Sequence, residues 1–276
     1  MDNKKVVVIT GSTSGIGKEL TKLYSSCSDY SVFAGYRNSD KISKELSNTD
    51  YFYIDLVNRN SIVEAAEYIK SKVSKIDILI NVAGAVVAGP IEVLPIDKLN
   101  EQFQINTFSH IEFVQNLLPV LDNSRIINVS SMASFGHFPF ISPYCASKRS
   151  LDIFFNAFAI ENHKNIEVVS VKPGVIATPI WEKSVNSNEQ VLSNNIEYAK
   201  ELKFLKDNAL SNTSKGLDVK VVANKIMEIS LKKRVKSSYL IGKDAKFAQI
   251  LSYLPQDVIN TLVKIGLNAR ISNHKS

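Results

Sequence analysis

Two cysteines in 276 residues give no disulfide framework. Cys27 and Cys145 also lack metal-ligand company: the histidine nearest Cys145 is the isolated His137, so zinc-site spacing is missing and no metal is expected. No run reaches the roughly 18 uninterrupted apolar residues that a membrane span needs. The N-terminal MDNKK passes straight into VVVIT, too short and too strand-like for a signal peptide, so a reducing cytoplasm is the expected compartment. No Gly/Ser linker, internal repeat or low-complexity run divides the sequence; residues 1–276 are read as one domain. Charge of one sign is also modest. The net +6 comes partly from LKKRVKS at 231–237, with no nucleic-acid motif beside it, so a solvated helix end is expected and no nucleic-acid partner.

What is present is alternation. Short β-branched runs at 4–10, 31–36, 51–55, 76–84, 124–131, 166–174 and 239–242 read as strands. Between them lie amphipathic segments at 61–73, 97–119, 143–162 and 219–233, the first with Ile62, Ala65, Ala66 and Ile69 on one stripe. This pattern predicts an α/β Rossmann fold, a doubly wound parallel sheet of about seven strands flanked by helices, with ligands at its carboxyl edge. Residues 179–215 are polar and weakly helical and follow the sixth strand at that edge; they are read as a substrate lid.

The first strand runs into TGSTSGIGKEL, with glycines at 11, 15 and 17. Glycines permit a tight turn and close approach of backbone to a pyrophosphate, which a following helix N-terminus stabilises. An acidic residue about 20 positions on would hold the ribose hydroxyls of NAD. Here the second strand ends in Tyr36 and Arg37, with no carboxylate to repel a 2′-phosphate. Arg37 can pair with that phosphate, and Ser12 and Asn38 are neutral donors nearby. NADP(H) is therefore expected over NAD(H), which stays open.

In SPYCASKRS, Tyr144 stands four places before Lys148, one helical turn, so both project from one face. An ammonium beside a phenol favours phenolate and is expected to lower its pKa, making proton exchange with a substrate oxygen practicable. With the other elements, this pair resembles the short-chain dehydrogenase/reductase family. Thr10-Gly-x-x-x-Gly-x-Gly17 matches the cofactor loop, NVAG at 81–84 the Asn-Asn-Ala-Gly element with Val82 replacing the second Asn, and Asp55 the adenine-capping Asp. NVSS at 128–131, Tyr144-x-x-x-Lys148 and KPGVIAT at 172–178 follow in family order.

The resemblance implies a catalytic tetrad of Asn106, Ser131, Tyr144 and Lys148, with Ser130 the alternative serine. In reduction, Tyr144 protonates the alkoxide as nicotinamide gives hydride, and Ser131 stabilises that oxygen. Lys148 tunes the phenol and bonds the nicotinamide ribose, while Asn106 holds a relay water. Implied cofactor contacts are Gly11, Ser12, Thr13, Ser14, Gly15, Ile16 and Gly17 in the loop. The reading of the second strand's end adds Arg37 and Asn38, and the resemblance adds Asp55, Leu56, Asn81, Ala83, Gly84, Tyr144, Lys148, Pro173, Gly174, Ile176 and Thr178.

Phe135, His137, Phe138, Phe140 and Ile141 lie between Ser131 and Tyr144, suggesting a bulky apolar carbonyl or alcohol substrate; packing on the protein's own core is the equal alternative. His137 is read as a loop hydrogen-bonder and Trp181 as an apolar lid contact. The tail at 243–276 is an amphipathic helix pair broken near Pro255, open to three uses: covering the cleft, packing in a dimer, or lying on a membrane. A homo-oligomer through the helices at 97–119 and 143–162 is expected. The competing function is a nucleotide-binding regulatory or interaction protein without turnover.

Overall fold

The structure is a computed structural model that describes residues 4–43, 46, 48–178, 180–186 and 196–273. Its seven strands are β1 (Lys5–Ile9), β2 (Tyr30–Tyr36), β3 (Thr49–Tyr53), β4 (Ile78–Asn81), β5 (Arg125–Val129), β6 (Glu167–Pro173) and β7 (Ser238–Ile241). They pair in parallel in the order β3-β2-β1-β4-β5-β6-β7. The winding direction reverses between β1 and β4, and the crevice beyond their carboxyl ends is where such sheets bind ligands.

The described helices are α1 (Gly15–Ser25), α2 (Arg59–Lys72), α3 (Ile96–Phe103), α4 (Ser109–Leu117), α5 (Ser142–Glu161), α6 (Ile180–Asn186), α7 (Ala199–Lys215), α8 (Val219–Ser230), α9 (Lys243–Leu251) and α10 (Gln256–Asn273). Alternation along each strand divides the apolar side chains between two faces. Val7, Ile9, Ile127 and Val169 pack with Leu20 and Tyr24 of α1 and Val222 and Ile226 of α8. Val8, Leu79, Ile126 and Val168 face the other way, onto Ile62 and Ile69 of α2, Phe113 and Leu117 of α4 and Leu151 and Phe155 of α5. Burial on both faces explains why the central strands read as continuous apolar runs.

Two expectations are corrected. The helix expected over 97–119 is interrupted: α3 gives way to a π-turn at Gln104–Phe108 before α4 begins, and a 3-10 turn, Leu118–Val120, closes it. The break coincides with Asn106, whose side chain is drawn to the backbone of Ala85 and to Ser147. The weakly helical 179–215 contains two helices, α6 and the 17-residue α7; Pro179 and 187–195 lie outside the described residues. Among the described residues, no helix is long and apolar enough to cross a membrane, and no cluster of acidic, Cys or His side chains is placed to hold a metal.

Candidate active site

A cavity of about 470 Å³ opens at the carboxyl edge, walled by Gly11, Thr13–Ile16, Arg37, Asp55, Leu56, Ala83, Gly84, Ser131, Tyr144, Lys148, Pro173, Gly174, Ile176 and Thr178. The glycine loop and the Tyr-Lys pair thus face one space. The loop's shape follows from its composition. Gly11 sits at φ +68°, and a β-carbon there would lie 2.9 Å from the Ala83 Cα; one on Gly17 would lie 2.2 Å from the Gly11 carbonyl oxygen. Ser14 precedes α1 without making a side-chain cap, and no acidic residue occupies the first turn. The helix terminus therefore offers its amides to an anion, which fits the diphosphate of a dinucleotide. Asp55 stands at the wall with Oδ1 accepting from the Val57 amide at 3.1 Å.

Several expected contacts point elsewhere. Ser12 is buried, and its hydroxyl donates to the Gly35 carbonyl at 2.8 Å, clamping the loop to β2 instead of facing the cavity. The Asn38 amide oxygen accepts from Asp40 N at 2.9 Å, capping a short turn. The Ser12 hydroxyl is thereby spent inside the protein, whereas the Asn38 amide nitrogen stays at the surface; Arg37 is an exposed cation on the wall, as is Lys183. Asn81 is also inside the sheet, donating to Asn128 Oδ1 at 2.8 Å on the paired strand.

Around the phenol the geometry is close-knit. Ser131 Oγ accepts from the Ala133 amide at 3.1 Å, which leaves its proton free for an oxygen in the cavity whose wall it shares with Tyr144. Ser130 lines the same cavity, but its buried hydroxyl has no hydrogen-bond partner among the described residues. Burial pushes the Tyr144 phenol up to about 12, with the Ser131 hydrogen bond opposing it. The expected lowering by Lys148 is not found. The lysine Nζ donates to the Val129 carbonyl at 2.8 Å, and its own desolvation brings it down to about 8, against a pull upward from Asp152. Desolvation outweighs the one-turn charge effect.

Asn106 is engaged at both ends of its amide. Its oxygen accepts from Ala85 N at 2.8 Å, and its nitrogen donates to Ala85 O at 2.9 Å and Ser147 Oγ at 3.0 Å. The side chain therefore fixes the backbone at Ala85. Gln102 does the same one turn earlier, with Val87 N at 2.6 Å and Ala85 O at 2.8 Å. His110 completes the support: its Nε2 meets Ala83 O at 2.9 Å, and burial lowers its pKa to about 4.

The aromatic loop mostly packs on the protein. Phe140 lies against Leu205 and Ala209 of α7, Phe135 covers Lys172, and His137 meets Gln256 at 3.4 Å. The apolar cavity wall comes instead from Val86, Val87, Ile180 and Trp181, the last edge-on to the Tyr144 ring at 6.2 Å. Motif reading missed Gln102, His110 and Asp152, and also Asp244. The Asp244 carboxylate sits over Gly174, where a β-carbon would overlap it, and accepts from Val175 N at 2.7 Å. Only Asp152 carried a local signal, four residues beyond Lys148.

Residues 5–189 match the short chain dehydrogenase family. The chain is 32% identical over 271 residues to a probable short-chain type dehydrogenase/reductase, VdlC, of Helicobacter pylori, covering 96% of this chain and 98% of that one. It is 29% identical to an NADPH-dependent 3-dehydrocapnine reductase of Ornithobacterium rhinotracheale, over 92% and 93% of the two chains. A 3-ketodihydrosphingosine reductase of Bacteroides thetaiotaomicron is 26% identical over 95% and 97%. Among solved structures, a Burkholderia phymatum short-chain dehydrogenase/reductase with NAD superposes at TM-score 0.79, with 17% identity and coverage of 95% and 96%. A Burkholderia cenocepacia short-chain dehydrogenase with NADP superposes at 0.72, with 22% identity and coverage of 95% and 99%.

Proposed function

Since this chain belongs to the short-chain dehydrogenase/reductase family and is an NAD(P)-dependent oxidoreductase, we propose that it uses NADPH to reduce a ketone on a bulky, lipid-like substrate. The observation that carries the reading is geometric: the glycine loop, Ser131, Tyr144 and Lys148 line one cavity at the carboxyl edge of the sheet. Tyr144 is in its protonated form at neutral pH, the form that an acid in a reduction needs.

When bound, the dinucleotide supplies the hydride for the carbonyl carbon. Gly11, Thr13–Gly17 and Thr178 receive its diphosphate, Arg37 the 2′-phosphate, Asp55 and Leu56 the adenine, and Pro173, Gly174 and Ile176 the carboxamide. Ala83 and Gly84 form the floor, which Asn106 and His110 hold from beneath. Tyr144 gives its proton to the developing alkoxide while Ser131 donates a hydrogen bond to the same oxygen. Lys148 stabilises the phenolate left behind and bonds the nicotinamide ribose.

Arg37, with no carboxylate beside it, supports NADPH, as does the name of the Ornithobacterium relative. Val86, Val87, Ile180 and Trp181 support an apolar substrate, as does the Bacteroides relative, named for a long-chain ketone. Of the segment 179–215, the described helices α6 and α7 are assigned to the lid over it. We further assign the exposed faces of α4 and α5 to self-association, and the stripe of Phe247, Ile250 and Tyr253 beside Lys243 and Lys246 to a lipid surface. Flotation with anionic vesicles checks the last assignment; a chain left in the aqueous fraction removes it.

Oxidation of NADPH and NADH, followed over ketones of graded chain length, tests the whole. The expected result is turnover that rises with apolar length and prefers NADPH, with Arg37→Ala raising the KM for NADPH at least about tenfold and leaving NADH unchanged. Turnover confined to small sugars ends the substrate reading, and an unchanged NADPH KM ends the Arg37 assignment.

A further inference from the structure

Tyr144, Lys148 and Asp152 succeed one another at four-residue steps on α5, so all three project from one face. Asp152 is 1% exposed, and opposite it on β6 stands Lys172, only 6% exposed. The Lys172 ammonium is 2.7 Å from Asp152 Oδ2. Oδ1, the other carboxylate oxygen, has no hydrogen-bond partner among the described residues. The carboxylate therefore retains acceptor capacity at a buried position, where unpaired capacity is costly. The other side of Lys172 is covered by the Phe135 ring, 4.4 Å from its centre.

The location gives the pair consequence. Lys172 immediately precedes the cavity-lining Pro173 and Gly174, and Phe135 ends the turn that Ser131 begins. One buried contact thus joins the helix of the Tyr-Lys pair to the two loops that face it. It also sets the carboxylate that Lys172 meets one helical turn from Lys148, whose own ammonium donates to the Val129 carbonyl. The charged and titratable groups facing Lys148 are Tyr144 and Asp152 on its own helix and His110 on α4. His110 is neutral at working pH, and Lys172 reaches the cluster through Asp152.

We propose that Asp152 is shared between Lys172 and Lys148, and that this sharing sets how firmly Lys148 holds its proton. Asp152 and Lys172 are positioning residues: they touch neither substrate nor dinucleotide and act through Lys148. The carboxylate holds the proton on, while Lys172 takes part of the carboxylate's charge and so keeps Lys148 titrating low. This rests on the reading of Lys148 as the partner of Tyr144 in proton transfer, but it can be tested without turnover.

The test is titration of Lys148 by NMR of the NADP+-loaded protein carrying ε-13C lysine, the signal being assigned by its loss in Lys148→Arg. Asp152→Asn is expected to lower the Lys148 midpoint, and Lys172→Met to raise it, each by at least about one pH unit. A merely structural ion pair predicts loss of thermal stability in both with no shift of midpoint, and that outcome overturns the proposal. Should either single variant fail to fold, the double variant Asp152→Asn/Lys172→Met leaves no uncompensated buried charge. Its midpoint is expected below that of the wild type; an unchanged midpoint refutes the sharing. Opposite shifts without any carbonyl turnover would instead leave this inference standing and remove the proposed reaction.

Discussion

A phenol and an ammonium one turn apart on a helix exert opposite demands when both are buried. The Tyr144 phenol is pushed up to about 12, and the Lys148 ammonium down to about 8. Each therefore resists its charged form, yet below about pH 8 the lysine is charged while the phenol keeps its proton. Proton donation by Tyr144 leaves a phenolate that a charged Lys148 can stabilise; a neutral Lys148 cannot. Reductive kcat/KM is accordingly expected to fall as pH rises through about 8. Stability should move oppositely. Between about pH 8 and 10.5 the unfolded chain holds the Lys148 proton more firmly than the folded one, so this group makes the fold more stable as pH rises. Activity and thermal melting measured over the same buffers separate the two; parallel declines would sink the assignment. Tyr144→Phe is expected to keep NADPH affinity within about twofold while kcat drops by at least about a hundredfold, the scale of general acid catalysis. Stopped-flow single turnover reads the chemical step directly, and a variant retaining a tenth of wild-type turnover removes Tyr144 from it.

At the scale of elements, the site is a junction of a turn, a helix terminus and the carboxyl ends of six strands, β1 to β6. Gly17 is its most demanding position. A methyl group there would press on the Gly11 carbonyl, whereas in an ordinary helix interior Gly→Ala stabilises by roughly 0.5–1 kcal/mol. Gly17→Ala is therefore expected to weaken NADPH binding at least about tenfold, read by quenching of protein fluorescence, with a melting temperature that does not rise. A tighter-folding variant with unaltered affinity would refute the cradle. This part of the molecule was legible because local chemistry dictates it: β-branched runs give strands, and three glycines with an uncapped serine give the loop. The support beneath it was not. Asn106 and Gln102 reach the 85–87 backbone only because a π-turn sits between α3 and α4, and no residue pattern announces that turn. Asp244 holds Val175 from 69 positions away, and Lys172 finds Asp152 only once β6 lies under α5. The sign of the Tyr144 shift was missed for a related reason. Spacing places a charge beside the phenol, but the depth of burial decides which effect wins.

At the scale of the whole molecule, the sheet is covered on both faces, yet the outer sides of its covering helices are not uniformly polar. Ile153, Ala157 and Ile160 follow one another on α5 at steps of four and three and face solvent with Phe154; Phe154 is 49% and Ile160 87% exposed. Phe108, at the end of the neighbouring π-turn, adds to the same kind of surface, and isolated exposed residues would need no comment. A repeating stripe on a long, regular helix is different, because it meets itself across a two-fold axis without any conformational change. Such a face is expected to pair two copies of the chain. Sedimentation equilibrium should show a dimer or larger assembly, and Phe154→Asp with Ile160→Asp should reduce it to a monomer, since like charges meet across an isologous contact. The substituted side chains point away from the cavity, so NADPH affinity should survive dissociation. If the wild type sediments as a monomer, or the double variant keeps its mass, the stripe serves something other than self-association. If mass and affinity fall together, the pairing of the two copies instead reaches inward through α5, whose other face carries Tyr144 and Lys148.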